Sequence, residues 1–444
     1  MTDRKPNILF FFTDDQRFDT LAALGNDAIR TPHLDRLVGR GAAFTHAHIM
    51  GGNCGAVCMP SRAMLMTGRT LFHLEDMGQQ IPEDHTLLGE ALQAAGYQTF
   101  GAGKWHNGIE AYARSFTDGR EYTALPFCHN AMKSNELGYR LCDHIKPGVH
   151  SSDLLADAAI DYLGRRDKAK PFFAYVSFLA PHDPRTMPEE FLKMYPPEEV
   201  ELPANYMPGH PFNNGELKIR DELLEDFPRT ESAIRKHIAE YYAMISHLDA
   251  QIGRVLAALD EAGETDNTII VFAGDNGLAV GRHGLMGKQS MYDHSVRVPL
   301  VFAGPGVPAG VRRDAFCYLL DIFPTLCDLV GAETPASVEG QSLVPIFADP
   351  AAPARETLHF AYTHCQRAVR DAQYKLIEYV VEEAPRVTQL FDLQADPDEL
   401  HNLADDPAHA ETLQRLRAEL LRWRDEFGDT THFGETFWGG YGAA

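Results

Sequence analysis

The chain has 444 residues, of which 44% are hydrophobic, and its formal net charge at pH 7 is −23. This composition excludes disordered, collagen-like and coiled-coil proteins, and the length suits one large α/β domain with a small second one. The acidic balance argues against nucleic acid or an anionic membrane surface as a partner. An anionic substrate would therefore need a local positive pocket.

The chain shows no sign of a membrane or secretory segment. No apolar run approaches the ~18 residues of a membrane span, and the first strand-like stretch, 7–13, begins too early to follow a signal peptide. We therefore predict a cytoplasmic protein. An odd number of scattered cysteines is not typical of a disulfide framework. They are Cys54, Cys58, Cys128, Cys142, Cys317, Cys327 and Cys365.

Short apolar runs alternate with longer segments of helical spacing, which predicts an α/β fold. The predicted strands are nearly continuous in apolar residues, as is typical of strands covered on both faces. They are 7–13 (NILFFFT), 97–101 (YQTFG), 172–178 (FFAYVSF), 268–273 (TIIVFA) and 300–303 (LVFA). The longest predicted helix spans 232–262, where one apolar stripe indicates core packing.

Two irregular stretches divide the chain. The segment 184–230 is proline-rich, charged and too long for an ordinary connection, which favours a lid or the wall of a binding site. A Gly/Pro-rich stretch, 331–353, precedes a strand-like run at 374–381 and an amphipathic helix at about 409–427. We predict a domain boundary near residue 349, with a large domain over 1–349 and a small α+β domain over 350–444.

Polar residues follow four of the predicted strands at the point where each strand ends. They are Asp14 and Asp15, Lys104 and His106, His182, and Asp275 and Asn276. Each group alone has an ordinary interpretation as a helix N-cap, a turn or a loop histidine. Because ligands of open α/β sheets bind beyond the carboxyl ends of the strands, the four groups together predict one site.

The aspartates and the asparagine among these residues offer only oxygen ligands, which suit Ca²⁺ or Mg²⁺. The lack of a Cys/His set with metal spacing argues against zinc. Three carboxylates outweigh the charge of one divalent ion, so an anion requires further cations at the site. Arg62, Lys104 and Lys288 supply them and leave a net positive charge, which suits a sulfate or phosphate group.

The strongest single motif is CMPSR at 58–62, followed by TGR at 67–69. Pro60 suits the first turn of a helix, so Cys58 would lie at a helix N-terminus, where the dipole favours negative charge. The spacing alone leaves open a thiolate nucleophile or a structural thiol. A soft thiolate is mismatched to a hard, oxygen-ligated cation, which indicates a different group at this position.

The segment CMPSRAMLMTGR resembles the signal by which type I sulfatases of the alkaline phosphatase superfamily acquire Cα-formylglycine from a cysteine, and the resemblance runs over nearly the whole chain. It implies that Cys58 becomes the formylglycine and that Arg62 stabilises it. It also implies that Asp14, Asp15, Asp275 and Asn276 hold Ca²⁺, with Mg²⁺ as the alternative.

Other segments extend this resemblance. GKWHNG contains Lys104 and His106, with Asn107 where leucine is common, while PHDP contains His182 and GKQSMYDHSVRVP contains Lys288. The resemblance assigns the last two residues to the leaving-group end of the site. FDLQADPDELHNLADDP is similar to the segment that enters the family's small second domain. The implied fold is alkaline phosphatase-like, with a large, mixed, mostly parallel sheet sandwiched by helices and a smaller C-terminal α+β domain.

The implied reaction is hydrolysis of a sulfate monoester. A hydrated formylglycine is a geminal diol, and its hydroxyl on the metal is an oxygen nucleophile at neutral pH. His182 with Lys288 would protonate the departing alcohol, and His106 would act as the base that releases sulfate. The implied partners are a small sulfated substrate and the maturation enzyme that modifies Cys58.

Two other function classes stay open, namely a phosphonate or phosphate ester hydrolase on the same scaffold and a non-catalytic anion-binding protein. Against the latter, every polar position that a catalyst needs is filled. A small sulfated mono- or oligosaccharide suits the acidic, cytoplasmic protein as a substrate. Residues His73, Glu75 and Asp76 could reach a sugar or form a solvated loop. The aromatic tail could cover a pocket or pack on a second subunit of a homo-oligomer; it comprises Phe433, Phe437, Trp438 and Tyr441.

Overall fold

The computed structural model describes residues 4–123, 150–430 and 433–442, and these residues form two β-sheets with helices around them. The strands are β1 (Asn7–Thr13), β2 (Gly41–His48), β3 (Gly51–Gly52), β4 (Gln98–Lys104), β5 (Asp118–Thr123), β6 (Phe172–Ser177), β7 (Thr268–Gly274), β8 (Arg297–Ala303), β9 (Val311–Arg313), β10 (Cys317–Tyr318), β11 (Leu358–Tyr362), β12 (Gln366–Arg370), β13 (Tyr374–Tyr379) and β14 (Val387–Asp392). The helices are α1 (Pro32–Arg40), α2 (Cys58–Thr67), α3 (Leu88–Ala94), α4 (Ile109–Ser115), α5 (Ser151–Arg165), α6 (Glu189–Leu192), α7 (Glu231–Glu261), α8 (Asp293–Val296), α9 (Ile322–Val330), α10 (Val344–Ala348), α11 (Ala410–Phe427) and α12 (Phe433–Tyr441).

The large sheet has nine strands in the order β10-β2-β8-β7-β1-β6-β4-β5, and β9 pairs with β2. Strand β1 is parallel to both of its neighbours, β6 and β7, whereas β8 is antiparallel to β7 and β2. The predicted fold class, a large mixed and mostly parallel sheet with a smaller C-terminal sheet, is confirmed. Since β1, β4, β6 and β7 run in one direction, their carboxyl ends lie at the same edge of the sheet.

The central strand, β1, is buried along its whole length, and its apolar sequence reflects this. Ile8, Phe10 and Phe12 pack on one face of the sheet, against α2 and α9, whereas Leu9 and Phe11 pack on the other face, against α5 and α7. Successive strand residues alternate between faces, so a strand covered on both sides needs apolar residues throughout.

The small sheet has the order β14-β13-β12-β11-β3. Its outermost strand, β3, comes from residues 51–52, close before Cys58, and is parallel to β11. The backbones approach so closely that a Cβ on Gly51 would lie 2.0 Å from the carbonyl oxygen of Ala361. This pairing joins the small sheet to the first part of the chain, while the domain boundary near residue 349 stays a prediction.

Two further features concern the described residues only. Five cysteines are described, and all five are free. Cys128 and Cys142 lie outside the described residues. Among the helices described, none combines the length and the apolar character needed to cross a bilayer.

Candidate active site

The carboxyl ends of the central strands are bonded to one another around three buried aspartates. The amide of Asp14 donates to the carbonyl of Ala180 (3.1 Å), and the amide of Asp275 donates to that of Thr13 (3.0 Å). The amide of Asp15 donates to Oδ1 of Asp275 (3.0 Å). The carboxylates that follow β1 and β7 therefore share one pocket from which water is largely excluded.

Each of these carboxylates has a cationic partner. Lys104 Nζ lies 2.5 Å from Asp14 Oδ2, and Lys288 Nζ lies 2.5 Å from Asp15 Oδ1. Arg62 Nε donates to Asp275 Oδ2 at 2.8 Å. The three pairs form what we call the site cluster, namely Asp14, Asp15, Asp275, Arg62, Lys104 and Lys288, all of them buried. The charges of the pairs cancel, so a divalent cation would make the cluster positive.

The oxygen atoms of the site fit such a cation. Asp14 Oδ1 and Asn276 Oδ1 are buried, and no described residue donates a hydrogen bond to either. The side-chain nitrogen of Asn276 donates to Asp15 Oδ1 (2.7 Å), and the side-chain oxygen of Asn276 remains available to a metal ion. A buried acceptor left unsatisfied costs about 1–3 kcal/mol. Carboxylate and amide oxygens of this kind are the ligands that Ca²⁺ and Mg²⁺ prefer.

The groups that could hold a metal overlap at Asp14. Ligand atoms of Asp14, Asp15 and His182 lie within 4.8 Å of one another, and so do those of Asp14, Cys58 and Asp275. Burial and the charge of Asp14 raise the pKa of Asp275 to about 7, although Arg62 and Lys104 oppose the shift. Like charges held this close disfavour each other's ionisation. A divalent cation would relieve that repulsion.

Cys58 is the first residue of α2, as the motif predicts. Its Sγ lies 3.2 Å from Lys104 Nζ and 3.4 Å from His106 Nδ1. Burial raises the pKa of the thiol, and the nearby charges of Lys104 and Lys288 only partly offset this. The thiol is therefore protonated at neutral pH, which weakens the interpretation of Cys58 as a thiolate nucleophile.

Arg62 lies one turn further along α2 and joins three strand ends. Besides Asp275, its guanidinium donates to the carbonyl of Lys104 (3.0 Å) and to Ser177 Oγ (2.6 Å), the last residue of β6. Its side chain is thus a fixed cation on the same helix as Cys58. Ser177 was not among the predicted site residues, although a serine that ends an apolar strand is a usable signal.

The two predicted histidines occupy different environments. His106 is buried, and burial together with Lys104 and Arg62 holds its pKa well below the usual range, so the ring is neutral. His182 is 16% exposed, and its Nε2 lies 3.6 Å from Asp15 Oδ2. Nδ1 of His182 donates to the carbonyl of Asp183 (2.7 Å), which leaves Nε2 facing the site.

The proline-rich segment 184–230 borders the site at the same side. Arg220 donates to Asp183 Oδ1 (2.9 Å) and to Asp221 Oδ1 (3.0 Å). Asp221 in turn accepts a hydrogen bond of 2.7 Å from Gln289, the residue that follows Lys288. The segment was predicted to be a wall or lid, but these residues were not predicted, because no local sequence pattern marks them.

His73, Glu75 and Asp76, together with Phe433 of the aromatic tail, line a cleft of about 670 Å³. It is lined by Asn53, Leu71, Phe72, His73, Leu74, Glu75, Asp76, Met77, Gly428, Asp429 and Phe433. Phe433 of the aromatic tail stacks on Phe72 at 5.9 Å, and Trp438 Nε1 donates to Asp429 at 3.0 Å. The tail therefore packs on its own chain, and none of the described lining residues belongs to the ten predicted for the site.

Comparisons with known proteins cover most of the chain. The family model "Sulfatase" matches residues 6–332, and the model "N-sulphoglucosamine sulphohydrolase, C-terminal" matches residues 281–426. An arylsulfatase from Clostridium perfringens (strain 13 / Type A) is 29% identical over 462 residues. That alignment covers 94% of this chain and 94% of the relative.

Solved structures are similar over the same extent. A protein in complex with its substrate D-glucosamine-2-N,6-O-disulfate superposes with a TM-score of 0.79 and 25% identity, covering 96% of this chain and 99% of that one. A phosphonate monoester hydrolase of Agrobacterium radiobacter gives a TM-score of 0.78 and 23% identity, covering 95% and 96%. The second likeness establishes a shared fold and nothing more.

Proposed function

The chain belongs to the sulfatase family, as its sequence predicts, and from this premise we propose that it hydrolyses a small sulfate monoester. A formylglycine at position 58 is the nucleophile, and Asp14, Asp15, Asp275 and Asn276 hold one Ca²⁺ or Mg²⁺. The observation that carries the proposal is the pair of unbonded buried oxygens, Asp14 Oδ1 and Asn276 Oδ1, in a charge-paired pocket beside Cys58.

The charge of the site supports an oxyanion as the ligand. Its carboxylates and its Lys and Arg side chains balance, so a bound divalent cation leaves two positive charges to face a sulfate group. Arg62 and Lys104 are held by hydrogen bonds to backbone and side chains and do not need to reorganise. Preorganised cations of this kind stabilise the charge that develops in a transition state.

The residue at position 58 lies where its neighbours can control charge and protons. A formylglycine supplies a hydrated aldehyde, whose hydroxyl is an oxygen nucleophile of the same hard character as the metal ligands. Lys104 Nζ contacts this side chain and can stabilise negative charge on it. His106 is neutral and presents Nδ1 to it, so we assign this nitrogen to accept the proton when sulfate is released.

His182 is suited to the opposite task. The carbonyl of Asp183 holds the proton on Nδ1, which leaves Nε2 to deliver a proton to the departing oxygen. Its partial exposure suits a position at the leaving group, which must be able to reach solvent. Lys288, paired with Asp15 nearby, adds positive charge at the same end.

The competing activity is hydrolysis of a phosphonate or phosphate ester on the same fold. Matched aryl sulfate and aryl phosphonate monoesters, compared by steady-state kcat/KM on metal-loaded enzyme, separate the two. We expect the sulfate ester to be the better substrate. A larger kcat/KM for the phosphonate ester would overturn the assignment. Because the chain is a sulfatase by family, a purely anion-binding role has no support.

Among sulfate monoesters, we propose a small sulfated carbohydrate as the substrate. The structurally similar protein solved with D-glucosamine-2-N,6-O-disulfate supports a small sulfated carbohydrate as the substrate. A maturation enzyme that modifies Cys58 is the implied partner, and a cytoplasmic location and a homo-oligomer stay predictions. A desulfation screen over sulfated sugars, choline sulfate and aryl sulfates identifies the preferred ester. A clear preference for choline sulfate would contradict the carbohydrate assignment.

A further inference from the structure

Two neighbouring acidic residues of the segment 184–230 bind the chain on both sides of Lys288. These residues, Asp221 and Glu222, are both buried although the segment is rich in exposed side chains. Neither was predicted as a site residue, and neither contacts the predicted metal ligands in the hydrogen bonds described for them. Besides bonds to nearby arginines, both residues bind the chain just before or after Lys288.

Glu222 binds the backbone that precedes the lysine. Its carboxylate accepts from the amide of Met286 (2.9 Å to Oε2) and from the amide of Gly287 (2.8 Å to Oε1). Arg229, which is fully buried, donates to Oε2 of the same carboxylate (2.6 Å) and also to the carbonyl of Gly284. The loop 284–287 is therefore fixed by a charged pair from outside the loop.

Asp221 binds the residue that follows the lysine. Gln289 Nε2 donates to Asp221 Oδ2 (2.7 Å) and to the carbonyl of Gly55 (2.9 Å), while Gln289 Oε1 accepts from the amide of Lys288 (3.0 Å). Asp221 also accepts from Arg220, which bonds Asp183 beside His182. The same short stretch thus touches the supports of both residues at the leaving-group end.

The packing leaves little room for an alternative arrangement. A Cβ on Gly287 would lie 2.3 Å from Gln289 Oε1, 3.0 Å from the Cβ of Asp221 and 3.1 Å from Glu222 Oε1. Gln289, Asp221 and Glu222 together therefore leave little space for a side chain at position 287. The bonds that Glu222 accepts from Arg229 and Asp221 accepts from Arg220 are charge-assisted, and such bonds are the stronger hydrogen bonds in proteins.

We infer that Asp221 and Glu222 are positioning residues that set the place of Lys288 at the leaving-group end of the site. The inference rests on the proposed function, since Lys288 acts on the substrate only if the chain is the proposed hydrolase. It gives the proline-rich segment a defined task, because movement of that segment would displace the lysine. Small displacements of a positioned group can lower a rate by up to about 10²-fold.

A double-mutant cycle tests the inference on the mature, metal-loaded enzyme. The four proteins are wild type, Glu222→Gln, Lys288→Ala and the double variant, compared by kcat and KM on a sugar sulfate. We expect Glu222→Gln to lower kcat about 10-fold in the wild-type background and less than about 2-fold in the Lys288→Ala background. Equal losses in the two backgrounds would overturn the inference, because the residue would then act independently of the lysine.

The matched control is Glu264→Gln. Glu264 is also a buried glutamate bonded to an arginine, Arg166 (2.7 Å), and to Asn7 (3.0 Å), but it lies at the amino end of β1, opposite the site. This variant should lower the melting temperature and leave kcat unchanged. If Glu222→Gln does not fold, Asp221→Asn takes its place in the same cycle, with a loss of about 3- to 10-fold expected in the wild-type background only.

A readout without turnover keeps the two proposals separate. If wild-type protein hydrolyses no sulfate ester, the proposed function fails, and calorimetric binding of inorganic sulfate then tests the positioning on the same four proteins. Weaker sulfate binding in Glu222→Gln, with no further weakening beyond Lys288→Ala in the double variant, supports it. Additive weakening contradicts it.

Discussion

Two largely buried clusters of opposite charges lie among the described residues, and they differ in whether each carboxylate oxygen is matched by a cation or a hydrogen-bond donor. The inter-sheet cluster comprises Asp293, Arg297, Arg370, Lys375 and Glu399, and it joins the large sheet to the small one. Asp293 Oδ1 pairs with Lys375 (2.8 Å), and Oδ2 pairs with Arg370 (3.3 Å) and Arg297 (3.4 Å). Glu399 Oε1 lacks a hydrogen bond but lies 2.8 Å from Lys375 Nζ, and Glu399 Oε2 accepts from the amide of Asp293 (2.8 Å). In the site cluster, Asp14 Oδ1 is unbonded among the described residues, and Lys104 pairs with the other oxygen of that carboxylate.

This difference separates a structural cluster from a functional one. A closed set of ion pairs fixes the relation of two sheets, and removing one member leaves a buried charge unpaired. An open set tolerates unsatisfied oxygens because a ligand is to fill them. We therefore expect substitutions in the inter-sheet cluster to change stability and substitutions in the site cluster to change activity.

The largest effect should follow the loss of the side chain at position 58. Cys58→Ala removes the proposed nucleophile, so kcat should fall by about 10⁴-fold or more, while the melting temperature stays close to that of wild type. Steady-state kinetics and thermal unfolding on the same preparation measure both. If this variant turned over substrate within about 10-fold of wild type, roughly 1.4 kcal/mol of activation free energy, the assignment would be contradicted.

His182 borders the site cluster and tests its chemistry. If His182 protonates the departing oxygen, His182→Ala should lower kcat/KM about 10²- to 10⁴-fold for a sugar sulfate and much less for an activated aryl sulfate, since a nitrophenolate leaves without a proton. Both substrates are measured with one enzyme preparation. Equal losses would refute the acid role and leave Lys288 as the better candidate.

The two clusters can be compared through one matched substitution in each. Asp293→Asn should destabilise the protein by about 3–5 kcal/mol, because Arg370 loses its buried carboxylate partner and Lys375 keeps only Glu399, and should leave kcat of the folded enzyme unchanged. Asp14→Asn should abolish turnover; it relieves repulsion from Asp275 but leaves Lys104 without its partner, so kcat and not stability distinguishes the two variants. Urea unfolding and kcat are measured for both.

Calcium binding supplies the control for the Asp293→Asn and Asp14→Asn variants. At 100-fold above its dissociation constant, a bound ion stabilises the folded state by about 2.7 kcal/mol. Wild type and Asp293→Asn should both show this gain, and Asp14→Asn should lose most of it. An equal gain in Asp14→Asn would place the metal elsewhere.

The smallest effect concerns pH and the inter-sheet cluster. Burial and the charge of Asp293 raise the pKa of Glu399 to about 7, with Lys375 opposing the shift. The folded protein then holds a proton that the unfolded chain has released, so Glu399 lowers stability as pH rises from about 4.5 to about 7. Glu399→Gln should reduce this decline by about 1–2 kcal/mol between pH 5 and pH 8. Identical pH profiles of unfolding for both proteins would contradict it.

Sequence patterns predicted the central elements because burial on both sides leaves a strong apolar signal. Strand β1 lies at 7–13 as predicted, and α7 (Glu231–Glu261) is displaced by one residue from the prediction of 232–262. Strand β2 (Gly41–His48), which pairs with β8, was not predicted, because its alanines and histidines give no strong apolar signal. The two glycines of β3 carry no sequence signal, since a distant strand determines their pairing.

The site divides in the same way. Residues that follow strand ends, such as Asp14 and Asp275, could be found from sequence because strand direction alone brings them to one edge. The segment 184–230 was recognised as a wall, but Asp221 and Glu222 were not. Their contacts to the loop around Lys288 join positions 64 residues or more apart, as the bond from Met286 to Glu222 does, and only the packed structure reveals them.

The central claim is that an oxygen nucleophile derived from Cys58 acts in the site cluster. Peptide mass spectrometry of residues around position 58, in protein whose specific activity has been measured, tests it most directly. The account predicts that the cysteine is replaced by formylglycine or its hydrate in proportion to activity across preparations. Fully active protein that carries only unmodified cysteine at position 58 would contradict the account.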